Sequence, residues 1–159
     1  MSDTGYEFVQ LARTFHELSK HAFESDEADV SGAFQVGERL RWADLTKEYR
    51  LVILSEAGSG KTAEIRNIAV NLRSEGKAAF FLRLENIPND LEDAFEVGSL
   101  DTFQTWLASG DEGWLLLDSV DEARLRNPGD FERAIRKLGR QLIAALDRTH
   151  IVITGRATA

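Results

Sequence analysis

Gly58-Ser59-Gly60-Lys61-Thr62 joins a turn of small residues to an ammonium group and a hydroxyl, directly after the apolar run Leu51-Val52-Ile53-Leu54. This is the chemistry of a phosphate cradle. A turn without bulky side chains lets backbone N–H groups converge on phosphate oxygens. A helix starting near Lys61 adds the partial positive charge of its N-terminus. Lys61 is placed to reach the β and γ phosphates of a nucleoside triphosphate, and Thr62 to offer its hydroxyl to Mg²⁺. Ala57, Gly58, Ser59, Gly60, Lys61 and Thr62 are therefore the candidate nucleotide-binding residues. The strict pattern has a glycine where this chain has Ser55. Serine is small and polar, so it either fits that turn or strains its start. The competing reading is a plain Gly/Ser loop between a strand and a helix.

A second set of residues follows Trp114-Leu115-Leu116-Leu117-Asp118. An apolar strand delivers one carboxylate at its C-terminal end, where ligands bind in open α/β sheets. Asp118 is the candidate to hold Mg²⁺ opposite Thr62, directly or through water. Glu122, and after it Asp121, could orient or deprotonate a water attacking the γ phosphate. Each reads otherwise as a solvated loop acid or a helix cap. A third strand end, Ile151-Val152-Ile153-Thr154-Gly155-Arg156, brings Arg156 to neutralise γ-phosphate charge and Thr154 to hydrogen-bond nearby. Arg156 reads equally well as a surface ion-pair partner.

These residues need a scaffold, and the hydrophobic pattern supplies one. Phe8, Leu11, Ala12, Phe15, Leu18 and Ala22 recur at helical spacing, which predicts an amphipathic helix over residues 4–23. His16 and His21 lie near it without a third metal-like ligand, and read as surface or packing residues. Glu24-Ser25-Asp26-Glu27-Ala28-Asp29 reads as an acidic connector. A short helix or irregular segment over Leu40–Leu45 follows; its Trp42 either packs or lies near the nucleotide base. Residues 1–45 are accordingly read as an N-terminal helical segment with its linker, and 46–159 as the core domain. Strands are predicted at Leu51–Leu54, Ala78–Leu84, Trp114–Leu117 and His150–Thr154. Helices are predicted over Lys61–Ser74, Leu100–Ala108 and a long stretch opened by Asn127-Pro128. Gly76 and Gly110 are the expected stops of the first two. Ser99 is an N-cap, and Pro88 with Asn89-Asp90 marks a turn. Phe131, Ala134, Ile135, Leu138, Leu142 and Ala145 form the inward face of the long helix. Apolar strands separated by helices predict an α/β fold of three layers around a mostly parallel sheet.

Composition narrows the partners. The chain has 159 residues, 43% hydrophobic and 29% charged, which suits one soluble domain with a sizeable core. There are no cysteines, which excludes disulfides and thiolate metal sites. Apolar runs of about five residues are far short of a membrane span, and the start Met1-Ser2-Asp3-Thr4-Gly5 does not read as a signal peptide. A cytoplasmic protein with no membrane partner is the expectation. A net charge of −8 argues against direct binding of nucleic acid by this segment.

Taken together, Ala57-Gly58-Ser59-Gly60-Lys61-Thr62, Leu115-Leu116-Leu117-Asp118-Ser119-Val120-Asp121-Glu122 and Ile153-Thr154-Gly155-Arg156 resemble the NACHT branch of the STAND P-loop NTPases. The specific mark is Asp118-Ser119-Val120-Asp121-Glu122, which matches that branch position by position. Typical AAA+ proteins place Glu directly after the first Asp, where this chain has Ser119. The likeness covers about residues 40–156. It implies an ATP-driven signalling switch that holds ADP when closed, exchanges it for ATP, and self-associates to turn on an effector. Bacterial members often act in defence against phage. The family continues with a further strand and with helical, winged-helix and repeat regions, so the resemblance implies a P-loop NTPase core that is partial at its C-terminal end: a fragment, a truncated gene or a minimal form. The lack of a guanine-reading Asn/Thr-Lys-x-Asp motif tilts the base toward adenine. Two other readings remain: a nucleotide-binding scaffold without significant hydrolysis, and a small-molecule phosphotransferase, for which Arg124 and Arg126 offer no legible lid.

Overall fold

The computed structural model describes residues 40–55, 61–118 and 129–156, with Ser55, Lys61 and Arg156 described by backbone alone. The expected N-terminal helix, the turn from Ala57 to Gly60 and the acidic loop holding Asp121 and Glu122 lie outside the described residues. The chain divides into two units, Met1–Lys47 and Glu48–Ala159. In the first, the short helix α1 (Trp42–Leu45) is capped at its start by a bond from the Arg41 amide to Asp44 Oδ2 of 2.9 Å.

The second unit is an α/β arrangement around a five-stranded sheet. Its elements are β1 (Arg50–Ser55), α2 (Lys61–Ser74), β2 (Ala78–Arg83), α3 (Leu91–Ala94), β3 (Phe95–Val97), α4 (Leu100–Ala108), β4 (Gly113–Asp118), α5 (Asp130–Leu142) and β5 (Thr149–Arg156). Strand order is β1-β5-β4-β2-β3. The pairs β1–β5, β5–β4 and β4–β2 are parallel, and only β3 runs antiparallel, against β2.

Strand period decides which residues meet which helix, because alternate side chains point to opposite faces. Ala79 and Trp114 are register partners and pack with Leu72 and Ile68 of α2 on one face. Phe80 and Leu115, one residue along, join the larger core on the other face with Phe103 and Trp106 of α4 and Ala134, Leu138 and Leu142 of α5. Every residue of β4 is buried, as expected for a strand covered on both sides. Gly76, at a φ of 82°, ends α2 as expected, with the Lys77 amide bonding the Leu72 carbonyl at 3.0 Å.

Some expectations change. Helix α4 ends at Ser109 in an extended conformation, so Gly110 is not its stop. The turn at Asn89-Asp90 is also a helix start: Asp90 Oδ1 accepts from the Glu92 amide at 3.0 Å and opens α3. The antiparallel edge strand β3 was not expected; three residues carry no readable period. Phe131 is 40% exposed rather than inward, because it lies in the first turn of α5 before the buried stripe begins at Ala134.

The end of the sheet where the strands start is held by rings. His150 stacks between Tyr49 (4.2 Å between centroids) and Trp114 (4.6 Å), and Lys77 lies over Trp114. Tyr49 Oη donates to Glu112 Oε1 at 2.8 Å, which lowers the Glu112 carboxyl below the ordinary carboxylate range and raises the Tyr49 hydroxyl. A lowered folded-state value means the Glu112 contribution is present above the unfolded value and is lost as pH falls through the folded one. The melting-temperature gap between the wild type and Tyr49→Phe is therefore expected to shrink as pH drops below the ordinary carboxylate range; a constant gap from neutral to acid would refute this. A second expectation concerns Gly113, where a Cβ would sit 2.3 Å from the Trp106 ring. Gly113→Ala should cost about 1–3 kcal/mol through overpacking, read by urea unfolding; an unchanged midpoint would contradict it.

Candidate functional site

Three elements converge where the parallel strands end. Helix α2 starts at Lys61, after the turn that follows β1. Asp118 is the last residue of β4, and Thr154 lies near the end of β5. Asp118 and Thr154 are direct register partners, and Thr154 is in turn partnered by Ile53 of β1. Because Asp118 lies four residues beyond Trp114, strand period puts its side chain on the face that α2 covers. The sheet thus turns the buried Asp118 carboxylate toward the start of the helix that carries Thr62.

The geometry at that point is specific. Thr62 Oγ1 donates to Asp118 Oδ2 at 2.8 Å, joining residues 56 positions apart. Thr154 Oγ1 donates to the other oxygen, Asp118 Oδ1, at 2.9 Å, with the Leu117 carbonyl farther away at 3.5 Å. Asp118 is 2% exposed and Thr154 fully buried. Among the described side chains no cation reaches this carboxylate; only the two neutral hydroxyls do. A buried carboxylate is normally paired with a cation or bound to a metal. The donor set, one hydroxyl beside one carboxylate, suits Mg²⁺, which takes few protein ligands and keeps waters and phosphates for the rest. Among the described residues no group of three His, Cys, Asp or Glu side chains forms an all-protein metal cage.

The sequence-predicted residues fall into three sets. Thr62 and Asp118 are brought together. Lys61 begins α2, and Arg156 ends β5 in register with Ser55, but only their backbone positions are described. Ala57, Gly58, Ser59, Gly60, Asp121 and Glu122 lie outside the described residues. Thr154 bonds the Asp118 carboxylate, which the sequence reading did not anticipate.

Arg83 was also missed. It ends β2 in register with Asp118, on the same face of the sheet. Its Nε lies 2.9 Å from Glu96 Oε1 but is not aligned for a hydrogen bond, so the contact is an ion pair. Arg66 of α2 binds the other oxygen of Glu96 at 2.7 Å, and Arg83 Nη1 lies 3.7 Å from Glu85. These partly exposed pairs tie the first turns of α2 to the β2–β3 edge, and each is worth little by itself. The readable signal for Arg83 was a polar residue ending an apolar strand, the same signal that marked Asp118.

No protein-family model matches this chain, and no curated protein matches it.

Asp118→Ala removes the shared acceptor of the Thr62 and Thr154 hydroxyls from a buried position. A loss of about 1–3 kcal/mol in urea unfolding is expected. An unchanged or raised stability would show that the two bonds add nothing to the fold.

Proposed function

We propose that this chain is the phosphate-binding part of an ATP-driven signalling switch of the NACHT/STAND type, which binds MgATP and hydrolyses it slowly. The observation that carries this reading is the 2.8 Å bond between Thr62 and Asp118. It joins the hydroxyl of the Gly-Lys-Thr segment to the acid of the second strand motif. Two motifs read independently from sequence meet at one point, at the ligand-binding end of the strands.

In this reading each residue has a task. Backbone N–H groups from Ala57 to Gly60 and the start of α2 cradle the phosphates. Lys61 adds a mobile positive charge against the β and γ phosphates. Thr62 offers an oxygen lone pair to Mg²⁺ while its proton stays on Asp118 Oδ2. Bound Mg²⁺ supplies charge neutralisation of the phosphates. Glu122, with Asp121 as the second choice, orients and deprotonates the attacking water, and Arg156 neutralises charge on the γ phosphate. Self-association, ADP/ATP exchange and domains beyond this segment belong to the same proposal.

One observation favours a second reading, a nucleotide-gated scaffold with vestigial hydrolysis. Ser55 stands where the cradle pattern has glycine, and β1 runs on as regular strand to that residue. A strand that extends this far leaves fewer residues for the turn.

Binding of a fluorescent ATP analogue and MgATP turnover separate the two. Lys61→Ala is expected to lose nucleotide binding. Glu122→Gln should bind like the wild type and turn over about 10²–10⁴-fold more slowly. Unchanged binding in Lys61→Ala would rule out the cradle. Equal binding with no turnover in the wild type would leave the scaffold reading standing.

A further inference from the structure

We propose that Arg83 is the group by which this site tells a nucleoside triphosphate from a diphosphate, its guanidinium passing from the acids that now hold it to the terminal phosphate. This rests on the nucleotide-binding reading above and names a property of the same site.

Position comes first. Arg83 ends β2 as the register partner of Asp118, on the face of the sheet that α2 covers. Neighbouring strands lie about 4.8 Å apart, a shorter span than an extended arginine side chain. Glu96, the nearer of its two acids, stands in β3 where the pairing with β2 shifts. Leu82 partners Phe95, and the adjacent Phe81 partners Val97. Glu96 is thus the extra residue of a bulge, a device that re-aims one side chain. It meets both Arg83 of β2 and Arg66 of α2. Arg66 lies one helical turn beyond Thr62, on the same face of α2. The helix face that reaches Asp118 therefore also reaches Glu96.

The hold on Arg83 is loose. Arg66 Nη2 makes an aligned hydrogen bond to Glu96 Oε2 at 2.7 Å. Arg83 Nε lies 2.9 Å from Oε1 of the same carboxylate, yet it is buried without an aligned acceptor. Nη1 is 3.7 Å from Glu85 Oε1, too far for a hydrogen bond. Arg83 is thus paired by charge while its donors are unspent, and a buried donor without an acceptor carries a cost. Both acids are partly exposed, and screened pairs of this kind hold weakly. A terminal phosphate offers more negative charge and oxygens that the guanidinium fork can meet with two hydrogen bonds. A diphosphate ends one phosphoryl group short of that contact. Arg66 keeps its bond to Glu96 when Arg83 leaves, so that carboxylate is not left unpaired.

The test measures affinity for a non-hydrolysable ATP analogue and for ADP, both with Mg²⁺, with circular dichroism as a folding control. Arg83→Gln removes the charge at similar length. It should weaken the ATP analogue about tenfold or more and leave ADP within about twofold, as expected for the loss of a charge-assisted hydrogen bond. Arg83→Lys should fall between, since an ammonium keeps the charge and loses the fork. Glu96→Gln weakens the present hold and should raise the affinity for the ATP analogue relative to ADP by about threefold. A wild type that binds neither nucleotide overturns the nucleotide reading and this inference together. If the wild type binds, a folded Arg83→Gln that keeps its ratio of the two affinities overturns the inference alone, whether both are unchanged or both are weakened. If Arg83→Gln does not fold, Glu96→Gln decides: a ratio unchanged, or shifted toward ADP, overturns the inference.

Discussion

The buried carboxylate of Asp118 sets the terms for this part of the fold. Asp118 is almost wholly removed from solvent at the end of β4, and charge in that position must be met by the protein. The structure meets it with hydroxyls from two elements that are distant in sequence, Thr62 on α2 and Thr154 on β5. That demand makes the rest of the arrangement necessary. Strand β5 must lie beside β4 in register, and α2 must start above the face that Asp118 presents. A slip of one residue in β4 would turn Asp118 to the other face of the sheet, among the side chains of the larger core.

The two ends of the sheet are built from different chemistry. Where the strands end, Asp118 and Thr154 are buried polar residues bonded to each other, and Thr62 bonds the same carboxylate. Where they begin, Tyr49, His150 and Trp114 form a ring stack, with Glu112 bonded to Tyr49 and 3.3 Å from His150 Nε2. The His150 Nδ1 atom lies 2.9 Å from the Glu48 carbonyl. The contrast sets buried polar groups at one end of the sheet and stacked rings at the other.

The legibility of the chain follows the strength of its periodicity. Ile65, Ile68, Ala69 and Leu72 make a full apolar stripe, and helix α2 has the predicted ends, Lys61 and Ser74. Ser99 caps α4 as read, through a reciprocal bond pair with Thr102. The four parallel strands were legible because covering both faces forces nearly continuous apolar runs. β3 was not, since an edge strand of three residues can be polar at its centre, here Glu96. Phe131 was assigned to the core by spacing alone, but a residue in a first turn can project past the layer it belongs to. At the site, Asp118 was legible as an acid ending an apolar strand. The role of Thr154 was not, because its partner is set by strand order rather than by spacing.

By itself the sequence determined the type of fold and the types of group available for chemistry. Apolar runs alternating with amphipathic helices admit few other solutions than a mostly parallel sheet covered by helices. Gly58 to Thr62 and Asp118 carry their chemical character wherever they fall. Only the tertiary structure decided who meets whom. Local sequence does not encode that β5 inserts between β1 and β4, and this insertion is what brings Thr154 to Asp118. The physical reason is that strand order and register are settled by burial over the whole sheet, whereas residue type and period are written locally.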